Sequence, residues 1–146
     1  MREQQNDSPV KWPKNVVIYT DGASRGNPGP ASLGVLFCQV DGLALMELGE
    51  RLGVQTNNFA EYTAVIRGLE EALNRGVEIV LLRSDSELMV KQMTGVYKVK
   101  SEVIRPLFLR VQELKGKFKK VEFEHVRREM NSDADRIANE ALDRGL

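Results

Sequence analysis

The sequence has almost no cysteine or histidine and no long hydrophobic run. Its one cysteine, Cys38, follows the apolar residues Val35 to Phe37, which indicates a small buried side chain rather than a nucleophile or a ligand. A single cysteine cannot form an internal disulfide, as is usual in a reducing cytoplasm. No stretch approaches the roughly 20 apolar residues of a membrane span, and residues 1–8 lack the apolar segment of a secretion signal. We therefore expect a soluble cytoplasmic protein without a membrane partner.

Net charge is absent as well, since 21 Lys and Arg balance 21 Asp and Glu. The charges are nevertheless segregated, because the segment from Lys91 to Arg128 holds eleven Lys and Arg but only four Glu. Such segregation is typical of a solvated helix face, and it also suits a phosphate-binding surface beside an acidic site.

Length and patterning predict one domain after a short tail. Residues 1–14 are polar, contain Pro9 and Pro13, and read as a tail that Trp12 packs down. The chain of 146 residues suits a single core, so residues 15–146 are expected to form one domain. No long exposed apolar segment is obvious, and we therefore expect a monomer.

Strands and helices alternate in a way that predicts an α/β domain. Three strands come first, and the second and third are joined by the hairpin signal Asp41-Gly42. The first is expected to end at Asp21-Gly22, before a turn-rich stretch from Ser24 to Pro30. The five strands are expected at residues 16–20, 32–40, 43–52, 79–82 and 121–126. The sheet must be mixed, because hairpins join the first three strands and helical crossovers join the others.

Four helices are expected between and after these strands. Apolar residues at helical spacing predict the first from Tyr62 to Leu73, with a cap at Thr56, Asn57 or Asn58. A short helix is expected to open at residues 84–87 and to end at residue 93. The third is predicted over residues 103–114, with its first turn loosened or kinked by Pro106. The fourth covers residues 134–142.

Acidic residues fall at the junctions of this layout. Asp21 and Asp85 each follow a strand, and these strands become parallel neighbours if the crossover through the first helix is right-handed. Their side chains would then meet at one edge of the sheet. Glu61 lies at the border of the first helix's apolar stripe, and Asp133 and Asp135 open the last helix. Taken singly, each acid also suits a turn, a helix start or a solvated surface.

As a set, the carboxylates point to divalent metal ions. Clustered carboxylates repel one another and acquire raised pKa values unless cations neutralise them. Oxygen donors without histidine or cysteine partners favour Mg²⁺ or Mn²⁺ over zinc. Two such ions, roughly 3.5–4 Å apart, can activate a water and stabilise the leaving oxygen of a phosphodiester. This chemistry needs no protein nucleophile.

Four motifs, in order along the chain, resemble type 1 ribonuclease H, and the resemblance extends from about Val16 to Leu142. They are Tyr19-Thr20-Asp21-Gly22-Ala23 with Gly26-Asn27-Pro28-Gly29; Thr56-Asn57-Asn58 leading to Ala60-Glu61; Ser84-Asp85-Ser86; and Asn131 with Ala134-Asp135-Arg136-Ile137-Ala138-Asn139. The resemblance implies a five-stranded mixed sheet flanked by helices. It also implies a catalytic site in which Asp21, Glu61, Asp85 and Asp135 bind two Mg²⁺ ions, with Mn²⁺ as a possible substitute. Asp135 matches the family's Ala-Asp pair, whereas helix geometry alone leaves Asp133 and Asp135 open.

The resemblance also implies an RNA/DNA hybrid as substrate. The matching substrate-binding positions lie in a loop and at a helix start. They are Gly22, Asn27, Thr56, Asn57 and Asn58. For Asn57 and Asn58, the alternative role is capping of the helix. Of the long basic handle that some bacterial members carry, only Lys91, Lys98, Lys100 and Arg105 remain, which predicts weaker, salt-sensitive binding.

Two positions depart from the family pattern. His125 precedes Asp135 by ten residues, as does the mobile histidine that assists water activation or product release in many members, but it lies in a strand-like segment. It is therefore either a catalytic residue or a histidine at a strand end without a catalytic role. In the second case, Arg127 or Arg128 would supply the positive charge that the family's histidine provides. Glu87 stands where many relatives carry a glutamine, and it would face the substrate poorly or fill a capping box.

The resemblance implies endonucleolytic cleavage of the RNA strand, which leaves a 5′-phosphate and a 3′-hydroxyl. Two alternatives remain open from the sequence. One is a nucleic-acid-binding module that kept the fold without catalysis. The other is a related nuclease acting on double-stranded RNA or on DNA.

Overall fold

The computed structural model describes residues 10–144, so residues 1–9 of the expected tail lie outside the description. A five-stranded sheet has the order β3-β2-β1-β4-β5. The strands are β1 (Asn15–Ser24), β2 (Gly29–Gln39), β3 (Ala44–Gln55), β4 (Ile79–Ser84) and β5 (Lys120–His125). The helices are α1 (Asn57–Asn74), α2 (Glu87–Met93), α3 (Arg105–Lys115) and α4 (Ser132–Arg144). The predicted α/β class with a mixed sheet is confirmed.

The antiparallel half of the sheet contains one correction. β1 continues through Asp21 and Gly22 to Ser24, where it still pairs with Ala31 of β2, so the expected strand end at Asp21-Gly22 is wrong. Asp-Gly is common in turns, but here the turn follows at residues 25–28, where Gly26 has a φ of +96°. The hairpin between β2 and β3 is confirmed, and Asp41 Oδ1 accepts a hydrogen bond from the Leu43 N–H at 3.1 Å.

In the parallel half, the pairing between β1 and β4 ends just before two acidic residues. β1 and β4 run parallel, and their last paired residues are Thr20 and Ser84. The next residues along the two strands are Asp21 and Asp85. β5 adds to β4 in parallel, with Ser84 opposite His125. The predicted neighbourhood of β1 and β4 is therefore confirmed.

The helices cover both faces of the sheet. The main core lies against α1, and its largest fully buried side chains include Ile18, Phe37 and Tyr62. α4 covers the other face, where the buried Cys38 packs with Val17, Leu36 and Ile137; Cys38 is thus a buried apolar side chain, as expected. None of the helices within residues 10–144 has the length and apolarity needed to cross a membrane.

Two details of the helices differ from the sequence prediction. α3 begins at Arg105 with Pro106 in its first turn, where the missing N–H of proline costs no hydrogen bond; Pro106 therefore starts the helix instead of kinking it. Val103, expected within this helix, lies before it and is 67% exposed. A 3₁₀ turn at Arg128–Asn131, which the sequence did not predict, leads into α4.

Candidate active site

Three carboxylates converge at the edge of the sheet where β1 and β4 separate. Asp21 comes from β1, Asp85 follows β4, and Glu61 comes from the second turn of α1. One carboxylate oxygen from each lies within 4.8 Å of one from both others. Parallel pairing of the strands explains the approach of Asp21 to Asp85, whereas the position of Glu61 depends on how α1 packs.

Gly22 allows that packing. A Cβ atom built at this position would lie 2.4 Å from the Glu61 nitrogen and 2.5 Å from the Ala60 carbonyl carbon, so no side chain fits between β1 and α1. The Gly22 N–H donates to Asp21 Oδ1 at 3.0 Å and to Glu61 Oε1 at 3.1 Å. Gly22 was expected in a loop that admits substrate. It lines the cleft from within β1 instead, and the backbone it accommodates is that of α1.

The fourth predicted carboxylate, Asp135, lies on α4 at the side of this group. It lines the same cleft but does not belong to the set within 4.8 Å. The Asn139 Nδ2 donates to the Asp135 carbonyl at 2.9 Å and to its Oδ1 at 3.3 Å. Asp133, which helix geometry alone did not separate from Asp135, is exposed, pairs with Arg136 at 3.7 Å and does not line the cleft.

Burial and mutual repulsion raise the pKa of the three central carboxyl groups. The pKa of Asp21 rises to about 8, chiefly because the group is buried and further because of Asp85 and Asp135. Burial, followed by the charges of Asp21 and Asp85, raises the pKa of Glu61 well above its ordinary value. Burial also raises the pKa of Asp85, although Arg128 and Asn131 oppose that rise. Without cations, the three carboxyl groups therefore keep their protons to a higher pH than isolated carboxyl groups do.

A cleft of about 680 Å³ surrounds the carboxylates. Of the predicted substrate-binding residues, Gly22, Asn27, Asn57 and Asn58 line it. Thr56 instead caps α1, because its Oγ1 accepts the Phe59 N–H at 3.2 Å. Since Thr56 supplies the side-chain cap, the side chains of Asn57 and Asn58 are left free for the cleft. Asn27 Oδ1 accepts the Asn57 N–H at 3.0 Å, which ties the β1–β2 turn to the start of α1.

Other predicted residues lie outside the cleft lining. His125 is exposed at the end of β5, and Lys98 and Lys100 are exposed in the segment after α2. Glu87 forms an ion pair with Lys91 at 3.0 Å rather than a capping box. Ser86 caps α2 through a bond from the Met89 N–H to its Oγ at 3.3 Å.

Sequence reasoning missed Arg25, named Arg128 only as a substitute for His125, and gave Asn131 no role. Arg25 and Arg128 line the cleft. Asn131 is buried, its Nδ2 donates to the Thr20 carbonyl at 2.9 Å, and a hydrogen bond from its side chain lowers the pKa of Asp85. The sequence places Asn131 in a motif but predicts no role for it, because its contacts depend on a 3₁₀ turn that has no clear signal in the sequence.

The raised pKa of Asp21 predicts how stability depends on pH in the absence of metal. Between the ordinary value of 3.8 and about 8, the folded protein retains a proton that the unfolded chain has released. The free energy of unfolding should therefore fall as the pH rises through this window. We expect the Tm measured in EDTA to decrease from pH 5 to pH 8, and Asp21→Asn to flatten this decrease.

Divalent metal should oppose this decrease of the Tm with rising pH. Because a cation binds the deprotonated carboxylates, Mg²⁺ should raise the Tm more at pH 8 than at pH 5. Asp133→Asn, on the exposed side of α4, serves as the control and should keep the wild-type slope. A Tm in EDTA that rises or stays constant between pH 5 and pH 8 would contradict the electrostatic description.

Comparisons with known proteins agree with this geometry. Residues 19–141 match the family model described as reverse transcriptase-like. The chain is 45% identical over 128 residues to ribonuclease HI of Halobacterium salinarum, which covers 88% of this chain and 64% of that protein. It is 42% identical over 129 residues to a bifunctional protein of Mycobacterium tuberculosis, covering 88% of this chain and 35% of that protein. The chain thus spans less than two thirds of the length of the first relative and about one third of the second.

Solved structures extend the comparison to the fold. The crystal structure of RNase H1 from Halobacterium salinarum superposes with a TM-score of 0.87 at 44% identity, covering 89% of this chain and 98% of that one. LC11-RNase H1 in complex with an RNA/DNA hybrid gives a TM-score of 0.85 at 42% identity, with 89% and 98% covered. The family match, these identities and the carboxylates at the junction of β1 and β4 together place this chain in the type 1 ribonuclease H family.

Proposed function

We propose that this chain is an endoribonuclease that hydrolyses the RNA strand of RNA/DNA hybrids and leaves 5′-phosphate and 3′-hydroxyl ends. The convergence of Asp21, Glu61 and Asp85 within 4.8 Å carries this proposal, because such a group is costly to assemble without divalent cations. The similarity to LC11-RNase H1, whose structure contains an RNA/DNA hybrid, supports the choice of substrate.

The residues of the cleft suit a divalent cation. Within residues 10–144, the cleft lining contains four carboxylates and neither histidine nor cysteine, and oxygen donors of this kind favour Mg²⁺, with Mn²⁺ as an alternative. Asp21, Glu61 and Asp85 would hold the metal, and Asp135, which lines the same cleft, would contribute a further carboxylate for a second ion. A bound divalent cation supplies Lewis acidity, which activates water and stabilises the charge that develops on a phosphodiester.

The protein's own groups orient the carboxylates and the substrate. The Gly22 N–H donates to one carboxylate oxygen of Asp21 and to one of Glu61 and so orients both carboxylates. The side chains of Asn27, Asn57 and Asn58 line the cleft, and their amides can bond phosphate oxygens and the 2′-hydroxyl that distinguishes RNA from DNA. Lys98 and Lys100 lie outside this lining, so they would contact phosphates farther along the hybrid.

Cleavage assays with matched substrates test the proposal. Purified protein should cut the RNA strand of a labelled hybrid in Mg²⁺, should stop when EDTA is added, and should leave 3′-hydroxyl ends that a polymerase can extend. Duplexes of the same sequence, made of two DNA or two RNA strands, differ only in the sugars of one strand. Hybrid binding without cleavage would favour the alternative that the protein is a nucleic-acid-binding module without catalytic activity. Preferred cleavage of the RNA duplex would replace the substrate assignment.

The position of His125 predicts a small role in catalysis. General acid–base catalysis typically contributes about 10²–10⁴-fold to the rate, but His125 does not line the cleft. We expect His125→Ala to lower kcat by less than about threefold. Arg128→Ala should lower it by about tenfold, the equivalent of about 1.4 kcal/mol, because the Arg128 charge opposes protonation of Asp85. Steady-state measurements of kcat for the two variants test these expectations. A 10²-fold loss of kcat in His125→Ala would show that His125 is a catalytic residue.

A further inference from the structure

Two guanidinium groups approach the cleft from opposite sides of the carboxylates. Arg25 lies in the turn between β1 and β2, and Arg128 in the 3₁₀ turn after β5. Asp21 lies on β1 and Asp85 directly follows β4. Because β1 and β4 are the middle strands of the order β2-β1-β4-β5, the two carboxylates lie between these guanidinium groups. Arg128 acts on Asp85, whereas the proposed metal site gives Arg25 no role.

The Arg25 side chain is held by acceptors of α4. Its Nη2 lies 2.8 Å from Asp143 Oδ1 and donates to Asn139 Oδ1 at 3.3 Å. The ion pair is open to solvent, because the two side chains are 49% and 63% exposed. Water and salt weaken such a pair, so Asp143 can give way to another anion at little cost. A phosphate group suits a guanidinium as well as a carboxylate does, since two parallel N–H groups match two of its oxygens.

The charges of the cleft leave few groups to receive a nucleic-acid backbone. Four carboxylates line the cleft, and they repel phosphates wherever no cation intervenes. Among the described residues that line it, Arg25 and Arg128 are the basic ones. A strand that places one phosphate over the carboxylates must place its neighbouring phosphates to either side, and on the side of β2 the available cation is Arg25.

We propose that Arg25 binds a backbone phosphate of the strand that lies over the carboxylates and that it exchanges Asp143 for this phosphate when the hybrid binds. The inference rests on the proposed function and adds a substrate contact to the same site. Asp143 acts as an internal competitor that occupies the guanidinium in the free protein.

The two partners should therefore respond to substitution in opposite directions. Without the guanidinium, Arg25→Ala should raise the KM for hybrid about tenfold, while kcat stays within about twofold. The slope of log KM against log salt concentration should decrease by about 1, the value expected for the loss of one phosphate contact. Asp143→Asn should lower KM about two- to threefold, because the competitor is gone. In the double variant, KM should equal that of Arg25→Ala, since Asp143 has nothing left to occupy.

Arg136→Ala is the matched control. Arg136 is 42% exposed, pairs with Glu47 at 2.6 Å and does not line the cleft, so its loss removes the same charge elsewhere and should change KM less than twofold. Equal effects of Arg25→Ala and Arg136→Ala would overturn the inference. So would a rise in KM for Asp143→Asn, which would mean that the ion pair only holds α4 in place. If the wild type neither binds nor cleaves hybrid, the proposed function fails together with the inference.

Discussion

Asp85→Asn should abolish hybrid cleavage while leaving the protein folded. The substitution keeps the size of the side chain and removes one of the three carboxylates that lie within 4.8 Å of one another. Metal binding contributes several kcal/mol to the stabilisation of the developing charge. Since each 1.36 kcal/mol corresponds to a factor of ten, kcat should fall by about 10³-fold or more. Stability should not fall, because the partly buried Asp85 carboxylate repels its neighbours in the absence of metal.

Initial rates with labelled hybrid in Mg²⁺, together with the Tm in EDTA, measure the two effects. Asp133→Asn is the matched control, since it removes a carboxylate that is exposed on the first turn of α4 and lies outside the cleft lining. It should keep the wild-type rate. Unchanged turnover in Asp85→Asn would refute the assignment of the metal-binding residues, and a large drop in Tm would show that Asp85 serves the fold.

The approach of Asp21 to Asp85 could be predicted from the sequence because it depends on only two features of the chain. Each residue follows an apolar run, and a right-handed crossover through one helix makes these runs parallel neighbours. Both facts are local in the chain or follow from chain topology. The choice of Asp135 over Asp133 came from a motif and not from geometry. Their surroundings differ in the structure, since only Asp135 lines the cleft.

The parts that could not be predicted depend on contacts between distant segments. The pair Asp21-Gly22 resembles a turn when only its neighbours in sequence are considered. In the structure the glycine is required because α1 packs against it, and the contact residue Glu61 lies thirty-nine residues later in the chain. Arg25 pairs with Asp143, which lies more than one hundred residues later in the chain. Asn131 reaches the Thr20 carbonyl from a 3₁₀ turn. No periodicity or cap signal reports such contacts, since each is set by how α1 and α4 dock on the sheet.

Gly22→Ala should damage both stability and catalysis, because the added methyl group meets backbone atoms that cannot rotate away. Its Cβ would lie 2.4 Å from the Glu61 nitrogen and 2.5 Å from the Ala60 carbonyl carbon, so α1 must shift on the sheet. Overpacking of this kind costs about 1–3 kcal/mol, which lowers the Tm of a domain of this size by roughly 2–4 °C per kcal/mol. The shift also displaces Glu61 from Asp21, and a misplacement of about 1 Å can lower the rate about 10²-fold.

Gly116→Ala separates this steric effect from the general effect of replacing a glycine. Gly116 ends α3 with a φ of −66°, and its added Cβ would meet the nearest atoms at 3.5 and 3.7 Å, which is ordinary contact. This variant should keep the wild-type rate and gain about 0.4–1 kcal/mol, because alanine restricts the unfolded chain. Thermal melts with and without Mg²⁺ measure the difference: Gly22→Ala should lose most of the metal-induced rise in Tm, since Glu61 no longer lies beside Asp21. Should Gly22→Ala bind metal and turn over hybrid as the wild type does, the close packing of α1 on β1 would not be what positions Glu61.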